Sequence, residues 1–289
     1  MADEEKNGAD GLAEGPEDDR PMSFFEHLQE LRKRLVRSAF GVAGAFIFCY
    51  VLVDHLRTLV LAPYRDAWYA VEMPGEPELQ NLSALEAFLS DLRIAIIAAV
   101  FIAGPILFYH AWMFISPGLY KKEKRLVVAF VVTSAFMFAG GAVFCYYLVL
   151  PLATEFFLGY SIDATQAESV NIVPRFTYTD YVTYTTKLLL AFGMMFEFPL
   201  GIFFLAKAGV VTHVTLLRHW KISMVLLFVV AAILTPPEPI SQLLMAAPMI
   251  ALYFISVGVA YFVSKPERER LAKLDAELAK EAEEDDEEG

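Results

Sequence analysis

Only two cysteines, Cys49 and Cys145, occur in the 289 residues, nearly a hundred positions apart. With no short-spacing thiol framework, they read as small packing residues rather than as a disulfide. Zinc-ligand spacing, a phosphate-cradling glycine-lysine loop and a dinucleotide-binding glycine pattern are all absent. No metal and no cofactor is therefore expected, and no constellation of an enzyme in the chemical sense is visible. Internal repeats are also missing, which counts against the inverted-repeat transporter architectures. The chain opens MADEEKNGAD, acidic where a removable leader is basic, and no small-residue cleavage site follows its first apolar stretch. A signal peptide is thus not expected.

What the chain has in excess is apolar length. It is 57% hydrophobic, with a mean hydropathy of +0.48, outside the range of an ordinary soluble domain. Six stretches are candidates to cross a membrane: 36–53, 94–115, 126–150, 184–206, 220–234 and 243–263. The expected fold class is all-α, an integral membrane protein with six transmembrane helices. Charge sits outside this body. Residues 1–19 carry eight acids and one base, and residues 267–289 carry eleven acids and four bases, leaving sixteen acids and eighteen bases between. The chain divides into an acidic, disordered N-terminal tail (1–22), a six-span core (23–264) and an acidic C-terminal tail (265–289). Eighteen of the lysines and arginines fall in the N-terminal segment, the second and fourth loops and the C-terminal tail; five fall on the other side. That bias places both termini in the cytoplasm.

Local signals refine the outline. Ser23-Phe24-Phe25-Glu26 reads as a capping box opening a short helix whose apolar stripe, Phe24, Leu28, Leu31 and Leu35, lies along the interface. The segment 54–93 contains Pro63, Pro74 and Pro77 and should form short helices over the outer face. A second outer segment, 151–183, is rich in tyrosine and phenylalanine, as membrane interfaces are. The fifth span has about 15 residues, which at ~1.5 Å each reach only ~22 Å. The hydrocarbon core is ~30 Å thick, so the bilayer thins there or the helix sits shallow. Pro236, Pro237 and Pro239 force a rigid connection to the sixth span, which Pro248 should bend.

Three carboxylates stand out chemically. Glu30, in HLQELRKRL, and Glu123, in LYKKEKRL, each interrupt a basic run just before an apolar stretch on the same membrane side. An anion there weakens the attraction of the segment for acidic lipid. Glu30 has Lys33 and Arg34 at ordinary helical pairing distance; the cations around Glu123 sit one or two positions away and point elsewhere. Two carboxylates on one surface suit two guanidinium groups, whose planar fork lysine cannot reproduce. Glu197, in FGMMFEFPLG, lies near the middle of the fourth span, where a charge is costly and must face protein or water. Gly193 and Gly201 flank it at i−4 and i+4, a notch for another helix. Read alone, Glu197 also suits the titrating group of a proton-coupled secondary transporter, the alternative function.

In these residues the chain resembles the TatC family, the polytopic core subunit of the twin-arginine (Sec-independent) protein translocase. The matching stretches are HLQELRKRL, FISPGLYKKEKRLV, AFGMMFEFPL and ILTPPEPISQLLMAAPMIALY, in order, covering roughly residues 24–262. The resemblance implies a receptor for signal peptides bearing two consecutive arginines, exporting folded proteins across the bacterial inner membrane with the proton-motive force. It implies signal-peptide binding by Glu30 and Glu123, with Arg32, Arg125, Phe114, Pro117 and Tyr120 beside them. It assigns partner-helix contact to Glu197, Gly193, Gly201 and Gln242, and structural or outer-face positions to Pro63, Glu86, Pro236, Pro237, Glu238 and Pro248. The implied partners are twin-arginine signal peptides, single-span Tat subunits of the TatA/TatB type, further copies in a larger complex, and membrane lipid; nucleic acid is not among them. Two positions depart from the family pattern. Glu238 stands where aspartate is usual, and the outer motif has Ala84 after Ser83 and Arg93 in place of lysine.

Overall fold

A computed structural model of the chain describes residues 24–115, 124–167, 176–235 and 239–264. Among these residues every regular element is a helix, and one isolated parallel bridge joins Gln80 to Thr177. Both tails, and with them Ser23, lie outside the described residues, as do Pro117, Tyr120, Glu123, Pro236, Pro237 and Glu238.

Helix α1 (Phe24–Val51) runs for 28 residues. A short interfacial helix leading into the first span was expected, but no proline interrupts this stretch and the two merge. Leu28, Leu31 and Leu35 of the expected stripe are exposed, as is Phe25; the Phe24 side chain lies outside the described ones. Helix α2 (Val53–Ala70) follows at once and carries Pro63 in its interior, buried. Proline has no N–H and cannot satisfy the carbonyl four residues back. That carbonyl, of Leu59, instead accepts from the Tyr146 hydroxyl at 2.9 Å, and the neighbouring Val60 carbonyl accepts from Tyr181 at 3.1 Å. Pro63 thus turns α2 into an acceptor surface that two tyrosines from later helices grip.

Helix α3 (Ala84–Ile102) is capped by Ser83, whose hydroxyl accepts from the Glu86 backbone N–H at 3.2 Å. The helix therefore starts ten residues before the expected second span. It continues, after a 55° bend, as α4 (Gly104–Ile115). Pro105 explains the break, since it removes a helical donor just where the chain turns. Helix α5 (Lys124–Phe144) passes through a π-helical turn, Cys145–Val149, into α6 (Leu150–Ala167). The third span was expected to end at residue 150. Instead the π turn, with the Leu150 N–H donating to the Cys145 carbonyl, absorbs Pro151 and the helix carries on. Both cysteines are free and buried, as packing residues are.

Helix α7 (Tyr178–Phe196) and α8 (Phe198–Lys207) form the fourth span, interrupted at Glu197 because Pro199 follows in the first turn of α8. After α9 (His213–Arg218), α10 (Trp220–Leu234) has the 15 residues expected of the short fifth span. Helix α11 (Pro239–Val263) contains Pro248 yet is one continuous helix. Four of these helices, or five with the bent α3–α4 pair, are long and apolar enough to cross a membrane; with the shorter α10 they match the six expected spans in order.

Two apolar clusters fix the helices against each other. One joins Val60, Tyr64, Ala67 and Trp68 of α2 to Ile94, Leu158, Tyr178, Tyr181 and Val182. The other joins Cys145, Val149, Leu188, Phe192, Ala231, Met245 and Met249. Beside the first cluster, Asp91 accepts from Arg57 through both carboxylate oxygens and from the Tyr178 hydroxyl at 2.7 Å. The hydrogen-bonded Asp91 pushes the Arg57 guanidinium further up, and burial pushes the Tyr64 phenol up to about 12. Arg93, the departure from lysine, donates to Thr183. These contacts tie α2, α3 and α7 into a rigid cap at the end where α1 finishes.

Candidate functional site

The opposite end of the bundle holds Glu30. On α1, His27, Glu30 and Arg34 recur at helical spacing and share a face. His27 stacks on Phe114 of α4, with ring centroids 4.3 Å apart and planes at 17°. Further along, a Cβ on Gly41 would lie 3.1 Å from Ile106, so α1 and α4 pack closely along this line. Glu30 and Arg34 are 21% and 16% exposed and form an ion pair. Both Nε, at 3.0 Å, and Nη2 of Arg34 donate to the same oxygen, Oε1. The second oxygen, Oε2, is buried and has no hydrogen-bond partner among the described residues. One half of this carboxylate is thus engaged and the other is ready to accept. Arg32 is exposed. Arg125 lies in the first turn of α5.

The second acidic position lies deeper. Glu197 is half-buried at the α7–α8 break, and its Oε1 is buried with no partner among the described residues. Ser134 of α5 is the side chain beside it, and Ser134 itself accepts from Trp112 Nε1 at 2.9 Å. A polar line therefore crosses from α4 through α5 to the α7–α8 junction inside the apolar bundle. Of the two flanking glycines, a Cβ on Gly193 would fall 2.7 Å from Phe138 and 3.2 Å from Phe101, whereas nothing lies within 4 Å of Gly201. At Gly193 the helices that come close are α5 and α3 of the same chain, through Phe138 and Phe101. Gly201 is open. Gln242 donates to the Phe228 carbonyl at 2.9 Å, so it ties α11 to α10.

The structure brings Glu30, Phe114 and the stacked His27 together; it keeps Glu197 in a separate, intramembrane place. His27, His110 and Ser134 were not singled out from sequence. The first two had a signal, the spacings His27-x-x-Glu30 and His110-x-x-x-Phe114 on facing helices. Ser134 had none, since a serine within an apolar span is unremarkable until its neighbour is known.

Comparison with known proteins identifies the family of the chain. The family model described as Sec-independent protein translocase protein (TatC) matches residues 26–248. A Sec-independent protein translocase protein TatC of Desulforapulum autotrophicum is 39% identical over 244 residues, 84% of this chain and 86% of the relative. Those of Koribacter versatilis and Campylobacter jejuni are each 36% identical, over 86% and 84% of this chain and 89% and 96% of theirs. Among solved structures, a crystal structure of the twin-arginine translocase receptor TatC superposes with a TM-score of 0.73 at 33% identity, covering 83% of this chain and 100% of that one. The chain belongs to the TatC family of Sec-independent protein translocase components.

Proposed function

We propose that this chain is the receptor for twin-arginine signal peptides and the core subunit of a translocase that exports folded proteins across the bacterial inner membrane, driven by the proton-motive force. The observation that carries this is Glu30: a carboxylate within a basic helix start, half-engaged by Arg34, with its other oxygen buried and without a partner among the described residues. Glu123 supplies the second carboxylate on the same side, so that two anions meet two guanidinium groups. Both termini, and with them this surface, face the cytoplasm, as the lysine and arginine bias requires. The proton-coupled carrier finds no support in the family match. Deleting the chain should abolish export of a folded reporter bearing a twin-arginine signal while leaving small-solute uptake intact. Retained export would remove the proposal.

Glu197, in this proposal, is where the transmembrane helix of a single-span partner engages the core. Its buried oxygen without a partner among the described residues, and the open surface at Gly201, favour that role. Hydrogen bonds between membrane helices measure ~0.6 kcal/mol on average and ~1.7 at most. Glu197→Ala should therefore weaken partner assembly several-fold without changing peptide binding at the surface, and Glu197→Gln should be milder. Cysteine crosslinking between α8 and a partner helix checks this; identical crosslinks in wild type and Glu197→Ala, with normal export, make Glu197 a structural residue only.

A further inference from the structure

Arg34 occupies, from within the same chain, the carboxylate that the proposed function reserves for an arginine of the peptide. Three observations bear on what happens when the two compete. Arg34 places both of its donors on Oε1 alone, so its contact is not the parallel two-oxygen fork in which a guanidinium and a carboxylate engage most strongly. Glu30 Oε2 is left buried without a partner among the described residues. On the facing helix, His110 Nδ1 is a second buried polar atom without a partner among the described residues. The α1–α4 register runs from His27 against Phe114 to Gly41 against Ile106. Residue 34 therefore falls at the level of His110, and charge on Arg34 and Arg37 reaches that ring. With its proton on Nε2, the imidazole offers Nδ1 as an acceptor.

We infer that Arg34 is a placeholder for the signal-peptide arginine, and that His110 is its alternative seat. Without peptide, Arg34 rests on Glu30 and prevents a bare carboxylate from standing half-buried. When a peptide guanidinium engages both oxygens of Glu30, Arg34 turns from α1 towards α4 and donates to His110 Nδ1. Two buried atoms that have no partner among the described residues are then both filled. Because a self-occupied site is competent only for the fraction of time that Arg34 is away, apparent affinity is lowered by that fraction. The reduction applies to every cationic peptide alike, so it sets a threshold that weak binders fail to reach.

This rests on the receptor proposal, and a binding titration separates the two. The full-length protein in lipid nanodiscs is titrated with a fluorescent twin-arginine signal peptide. Arg34→Gln should tighten binding by roughly three- to tenfold, and the gain should vanish when Glu30→Gln is added. His110→Phe should weaken binding by a similar factor, with no effect in the Arg34→Gln background, where nothing needs the seat. Equal or weaker binding by Arg34→Gln overturns the inference, as does a His110→Phe effect that persists without Arg34. Should Arg34→Gln not fold, Arg34→Lys serves: its single-point contact should give a smaller gain, and no gain counts against the placeholder. If Glu30→Gln alone leaves wild-type binding unchanged, the receptor proposal itself fails; normal dependence on Glu30 with no gain at Arg34 removes the placeholder only.

Discussion

Replacing Glu30 and Glu123 together by alanine is expected to lower the affinity for a twin-arginine peptide by about a hundredfold, with each single change giving about tenfold or more. Hydrogen bonds to charged groups contribute roughly 1.5–3 kcal/mol each, and every 1.4 kcal/mol is about tenfold in affinity. Glu123→Ala should be the more damaging single change. Glu30 must first be released by Arg34, so part of what it gives the peptide is offset by the ion pair it loses. Glu123 has no cation at helical pairing distance in the sequence to make the same exchange. Fluorescence anisotropy of labelled peptide on the purified protein measures all three variants. Equal losses for the two single variants would contradict the unequal starting states of the two carboxylates.

The largest effect on stability is expected at Gly141. A Cβ there would stand 2.5 Å from the Phe192 carbonyl oxygen and 2.9 Å from its carbon. These are backbone atoms of α7, so nothing can rotate aside; α5 and α7 would have to separate and open the cluster around Phe192 and Leu188. Overpacking of this kind typically costs about 1–3 kcal/mol, occasionally more, and Gly141→Val, which adds two further methyl groups, belongs at the top of that range. Gly140→Ala is the control: nothing lies within 4 Å of its Cβ, and alanine suits a helix better than glycine. Thermal unfolding in detergent should show a clearly lowered midpoint for Gly141→Val and an unchanged or slightly raised one for Gly140→Ala. Equal midpoints would mean that α5 and α7 are not held this close.

The apolar stretches told the order of the spans, because in lipid only a helix satisfies its own backbone. Their ends were less legible, and the reasons are specific. Interfacial helices and spans have the same backbone, so nothing in the sequence separates the start of α1 from its membrane part, or α6 from α5. Pro63 stays inside α2, where Tyr146 takes the Leu59 carbonyl that it leaves and Tyr181 bonds the neighbouring Val60 carbonyl. Pro151 is accommodated by the π turn before it. Those tyrosines are 83 and 118 positions away along the chain, beyond the reach of any local pattern. At the site, the lone carboxylates were visible as charges out of place. The partner choice of Gly193, filled by Phe138 and Phe101, was not, since a glycine records only that something comes close and not what.

In the proposed receptor the two arginines of a signal peptide lie against Glu30 and Glu123. It is tested most directly by placing a photocrosslinking side chain at position 30 or 123 and exposing the membrane-embedded protein to labelled peptides. Crosslinks are expected from both positions to the arginine pair, lost when the two arginines are replaced by lysines and competed away by unlabelled twin-arginine peptide. Crosslinks of equal strength to the lysine peptide, or none from either position while export continues, would contradict it.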